Sequence, residues 1–147
     1  MDELKVAMEA VGLYQVQYEQ VDKLWNYFSV VTLATAGFVL GSERATRTIV
    51  ESVTIVAAYL VFCFGNQEAL LVGQEQLSQI YQMALPLAEK ANFSIAAFKP
   101  IDTERVQRFH SAVALSVCAA VFIVAWLRNR SRSQSGEKTP SEKVLRN

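Results

Sequence analysis

Glu51 stands where a carboxylate is costly. It falls four residues after Arg47, at the edge of an apolar run that reads from Ser52 to Phe64. An acid in a membrane segment normally faces protein or water. Read for chemistry, Glu51 is a proton or cation site, or a gate. Read for structure, it is an i, i+4 ion pair with Arg47 at the level of lipid headgroups, and this is the simpler reading. Ser29, Thr32 and Thr35 lie on the preceding apolar run and could line an aqueous path, although helical Ser and Thr also bond to their own backbone carbonyls. Thr32, Thr35, Arg47 and Glu51 are thus the candidate pore or ion-site residues. His110, the single histidine, stands at the entrance to a third apolar run. Haem needs paired axial ligands, and one histidine supplies a pair only between two chains, so no cofactor is expected. Cys63 and Cys118 fall inside apolar runs, where Cys behaves as a small apolar residue. No catalytic triad, phosphate loop or metal-ligand spacing is visible, so no catalytic or metal-binding residue is expected and the chain reads as non-enzymatic.

The elements that carry these residues are helical. Three apolar runs, Tyr27–Leu40, Ser52–Phe64 and Ser111–Leu127, dominate a chain of 147 residues that is 52% apolar, with a mean hydropathy of +0.19. Extended by their flanks, they approach the ~20 residues that cross a bilayer. A soluble domain of this size has too little interior to hide three uncharged helices on every side. The expected fold is all-α, an integral membrane protein with three transmembrane helices over 24–41, 48–65 and 111–127. Residues 1–23 form an outer amphipathic helix, 42–47 an inner link, and 66–110 an outer helical segment with a turn near 93–101. The long helices extend past the membrane into a small outer bundle. Residues 2–40 read as one helix, Ser42 as the cap of the second, Pro86 as a kink or restart, and Asp102 as the cap of a third helix over 102–130. The tail 128–147 is basic, with 131–147 (SRSQSGEKTPSEKVLRN) read as disordered.

Charge sets the orientation. Residues 1–23 hold five acids (Asp2, Glu3, Glu9, Glu19, Asp22) and two lysines, the 42–47 link holds Arg44 and Arg47, and the segment from Arg128 holds six bases against two acids. Excess Lys and Arg near span ends mark the cytoplasmic side. The N-terminus is expected outside and the C-terminus inside, in the cell (inner) membrane, although Arg105 and Arg108 run against the trend. Trp25 and Trp126 fall at opposite boundaries as interfacial anchors. The acidic N-terminal region lacks the pattern of a cleaved signal peptide, so the first span is expected to serve as its own insertion signal.

Two features suggest association. Leu4, Ala7, Val11, Tyr14, Tyr18, Val21, Trp25 and Phe28 recur at alternating steps of three and four, an a/d seam, of which Leu4, Val11, Tyr14, Tyr18 and Val21 belong to the outer segment. Gly37 and Gly41 form a GxxxG with Ala34 before it, and Ala112, Ser116 and Ala120 recur at steps of four. Small residues so spaced let helices approach closely in lipid. The expected function is a homo-oligomeric channel or pore-like assembly in the lipid bilayer. The alternative is an accessory or scaffold subunit of a larger membrane complex. The three-span layout with a charged tail also resembles holin-like, membrane-permeabilising proteins, in architecture only. With a formal net charge of +0, nucleic acid is not an expected partner.

Overall fold

The computed structural model describes residues 2–136. Its order is α1 (Asp2–Gly41), a 3-10 turn (Arg44–Thr46), α2 (Ile49–Lys90), a second 3-10 turn (Ala96–Phe98) and α3 (Thr103–Gly136), with no strand among the described residues. All three helices are long and apolar enough to cross a membrane. At 1.5 Å per residue, the 40 residues of α1 and the 42 of α2 are each about 60 Å long. α2 packs against both other helices, which touch each other least.

Heptad spacing holds the three together. Four of the buried positions of α1, Ala7, Tyr14, Val21 and Phe28, recur every seven residues, and Val39 is buried nearer its end. Those of α2 step by four and three from Ser52 through Val56, Tyr59, Cys63, Asn66 and Leu70, and on to Leu77. This repeat keeps a seam facing its partners when helices supercoil. The α1 seam therefore closes against α2 of the same chain. Leu4 and Tyr18 are 48% and 56% exposed, so the seam is narrower than its sequence pattern.

The core has two parts. One, between the amphipathic halves, joins Tyr14, Val21, Leu70, Leu77, Tyr81 and Val106. The other, between the apolar halves, joins Phe28, Val56, Tyr59, Cys63, Cys118 and Val121, and Trp25 packs on both. Outside the second core the surface stays apolar: Leu33, Val50 and Val61 are 71%, 70% and 74% exposed. Apolar side chains on both the inner and outer faces make these halves compatible with a membrane.

Several boundaries differ from the sequence reading. The cap of α2 is Thr48, not Ser42. Its hydroxyl accepts from Glu51 N–H while the Glu51 carboxylate accepts from Thr48 N–H at 2.8 Å, a reciprocal capping box. The Ser42 carbonyl instead accepts from Ala45 N–H within the turn. α2 runs unbroken through Pro86. The carbonyl that Pro86 cannot serve belongs to Gln82, and both residues are exposed, so water can satisfy it. α2 ends four residues later, at Lys90, in a Schellman motif. Asn92 is left-handed at φ 52, and Phe93 N–H donates to Ala88 O and Asn92 N–H to Glu89 O. Asp102 accepts from Glu104 N–H at 3.4 Å at the start of α3. That helix continues through 131–136, read from sequence as disordered, because nothing between Arg128 and Gly136 breaks it. Residues 137–147 lie outside the described residues.

Candidate functional site

Three of the four candidate pore residues, Thr32, Thr35 and Glu51, are engaged within the chain, and Arg47 is exposed. The Thr32 hydroxyl and the Tyr59 hydroxyl share a 2.9 Å hydrogen bond between α1 and α2. Thr35 donates to Val31 O at 2.8 Å on its own helix, as Thr54 does to Val50 O and Ser116 to Ala112 O. Glu51 closes the capping box, and no ion pair joins it to exposed Arg47. An acid at the third position of a helix also meets the positive end of the helix dipole, so Glu51 is less costly there than mid-span. Among the described residues the ion pair in place is Arg108–Glu104 on the surface of α3.

The small-residue stripes face outward. Ala34, Gly37 and Gly41 on α1, and Ala112, Ser116 and Ala120 on α3, are exposed. A methyl group added at Gly37 or Gly41 would meet nothing within 4 Å. The close approach lies elsewhere, at Gly73, where a Cβ would stand 2.8 Å from Cγ2 of Val21. Trp126 is exposed, with the Arg130 guanidinium 5.5 Å from its ring centroid, whereas Trp25 is held between helices.

At the joint between the two cores sits a polar cluster. His110 is 0% exposed and stacks on Phe28 with centroids 4.0 Å apart, with Trp25 at 6.3 Å. Asn66 Nδ2 donates to Leu24 O at 3.1 Å, which leaves Asn66 Oδ1 as the acceptor for His110 Nε2–H at 3.3 Å. Three helices are tied through one amide, while His110 Nδ1 is buried without a partner. Replacing Asn66 with Leu should cost about 2 kcal/mol by orphaning the imidazole N–H. The double change Asn66→Leu with His110→Phe should recover most of that loss, and thermal unfolding of the detergent-purified protein checks both.

At the opposite end, Arg128 of α3 does what its place in a basic tail does not announce. Its guanidinium donates to Val39 O, Leu40 O, Ser42 O and the hydroxyl of buried Thr46, all within 3.0 Å. These include carbonyls at the C-terminus of α1, which have no N–H of their own and carry the negative end of its dipole. One cation thus ties α3 to both sides of the α1–α2 link. Asn66, Gly73 and Arg128 had only weak sequence signals: a polar residue and a glycine at heptad positions, and an arginine ending an apolar run.

No protein family, curated protein or solved structure matches the chain.

Proposed function

We propose that the chain is a non-enzymatic integral membrane protein whose work is assembly, a scaffold or accessory subunit that self-associates through its outward small-residue faces. It spans the bilayer three times, with the α1–α2 link and the end of α3 on the cytoplasmic side. Arg44, Arg47, Arg128, Arg130 and Arg132 gather at that end, which supports the orientation. The observation that carries the reading is the outward placement of Ala34, Gly37 and Gly41, with open space over both glycines, on a helix that is apolar on its outer surface. Lipid gives no hydrophobic drive for helices to associate, so such a face is useful for close contact between backbones.

The channel form of the assembly is the weaker one. Thr32, Thr35 and Glu51 spend their polar groups inside the protomer, and the core between the apolar halves is filled by Phe28, Val56, Tyr59 and Cys63. A water path would have to run between copies. Native mass spectrometry of the protein purified alone, followed by liposome conductance, tests the proposal. A discrete multimer without ion flux is expected. A monomer would overturn self-association, and a conducting multimer would replace the scaffold with a channel. Gly37→Leu should leave the unfolding temperature of the protomer unchanged and lower the multimer mass, because the added side chain meets only a neighbouring copy.

A further inference from the structure

The joint between the two cores rests on a histidine whose ring keeps one nitrogen idle. His110 is 0% exposed, its Nε2–H is given to Asn66 Oδ1, and its Nδ1 has no partner. Asn66 uses its own donor on Leu24 O of α1. Phe28 covers a face of the ring at 4.0 Å between centroids, and Trp25 stands 6.3 Å away. α1, α2 and α3 therefore meet through one imidazole and one amide, with aromatic rings beside them.

This arrangement suits the neutral ring and has no place for the charged one. A proton on Nδ1 would turn an idle acceptor into a donor without an acceptor, and would set a charge away from water. The charged groups flanking the joint do not offset that cost. Asp22 and Lys23 of α1, Glu68 of α2, and Arg105 and Arg108 of α3 are all exposed. Asp22 accepts from Asn26, and Arg108 pairs with Glu104. Cys63, buried one turn before Asn66, carries a thiol that is neutral below its ordinary pKa of about 8.5. The phenol of exposed Tyr27 is neutral below about 10. The Phe28 face attracts an imidazolium, but less than water does. Burial accordingly lowers the pKa of His110, which stands just before the 111–127 span, from its ordinary 6.5.

We propose that His110 is a proton-operated latch: a proton taken up by its ring releases α3 from α1 and α2 at the joint and leaves the cores on either side folded. A ring that water does not touch takes its proton only while the joint is open. The open form has an ordinary histidine, half protonated near pH 6.5, whereas the closed form stays neutral to lower pH. The closed form therefore keeps its full advantage above about pH 6.5 and loses it as pH falls below that value. Between pH 7.5 and 5.5 the ratio of open to closed forms should rise about tenfold, since one proton separates them. Self-association is not required for the latch.

His110 is the single histidine, so the untagged full chain in detergent reports on it alone. NMR of the imidazole C–H resonances should show the folded protein titrating clearly below pH 6.5, and this measurement needs no variant. Amide hydrogen exchange then locates the opening. It is read from pH 7.5 to 5.5 as the ratio of wild type to Asn66→Leu/His110→Phe, which cancels the intrinsic pH dependence of exchange. That ratio should rise about tenfold for amides within 22–30, 62–70 and 106–114, and hold steady around Tyr14 and Tyr81 and around Val121. His110→Gln, which can still donate to Asn66 but does not titrate, gives the same comparison where the double variant does not fold. A ring that titrates at pH 6.5 or above, a ratio that does not change with pH, or a rise spread evenly over the three helices overturns the proposal.

Discussion

Arg128→Ala should lower the stability of the solubilised protein by about 3 kcal/mol, the scale of several charge-assisted hydrogen bonds lost together. The guanidinium serves four acceptors at once. Its removal leaves the Val39, Leu40 and Ser42 carbonyls to find water and deprives buried Thr46 of its side-chain partner. Arg128→Lys keeps the charge but offers a single ammonium in place of a planar fork, so it should recover less than half of the loss. The damage should also be local. Limited proteolysis should cut first within 42–48, and the rate there should rise more than anywhere in the amphipathic halves. If Arg128→Ala unfolds at the wild-type temperature and resists protease equally, the four contacts contribute nothing to the fold. Neutralising Arg130 serves as the control, since its guanidinium lies over the Trp126 ring of its own helix and its loss should leave stability within about 0.5 kcal/mol.

The second large effect belongs to Gly73. A Cβ there would lie 2.8 Å from Val21 Cγ2, closer than two carbon atoms rest, so even alanine forces α1 and α2 apart or turns Val21 out of its rotamer. Gly73→Ala should cost about 1–3 kcal/mol, with Gly73→Val at the top of that range or beyond it. The sign is the informative part. A glycine inside a helix is ordinarily worse than alanine by about 1 kcal/mol, and Gly65, earlier in α2, has nothing within 4 Å of an added Cβ. Gly65→Ala should therefore stabilise while Gly73→Ala destabilises. Combining Gly73→Ala with Val21→Ala should cost less than the sum of the two single changes, because the second makes room for the first. Two alanines with the same sign in thermal unfolding would show that the close approach at Gly73 is not real.

These two residues mark where sequence reasoning stopped. The three long helices were legible because hydropathy and heptad spacing are local and accumulate over many residues. The seam from Ala7 to Phe28 could be read on one strip of chain. What Gly73 and Arg128 do depends on the axial register between helices, and no local pattern carries it. The cap of α2 is a different case. Thr48-x-x-Glu51 is a legible capping box, which competes with Ser42 as a helix start and marks Glu51 as an acid in the first turn. The two stripes of small residues were visible in sequence, but not the side of the bundle on which they lie. Gln74 carries no local sign of its burial, which follows from the contact its neighbour Gly73 makes with Val21.

The position of Arg128 also bears on the order in which the protein is made. Thr46 precedes it by 82 residues, and a ribosome adding about 5–20 residues each second takes roughly 4 to 16 s to cover that distance. From the completion of α2 at Lys90 until Arg128 is added, the first two helices can form a hairpin whose turn lacks its fastening. The segment that supplies the fastening is also the one that completes the bundle. A nascent chain stalled before Arg128 would expose an unfastened turn, and the same residue that closes the finished fold thereby distinguishes a finished copy from an interrupted one.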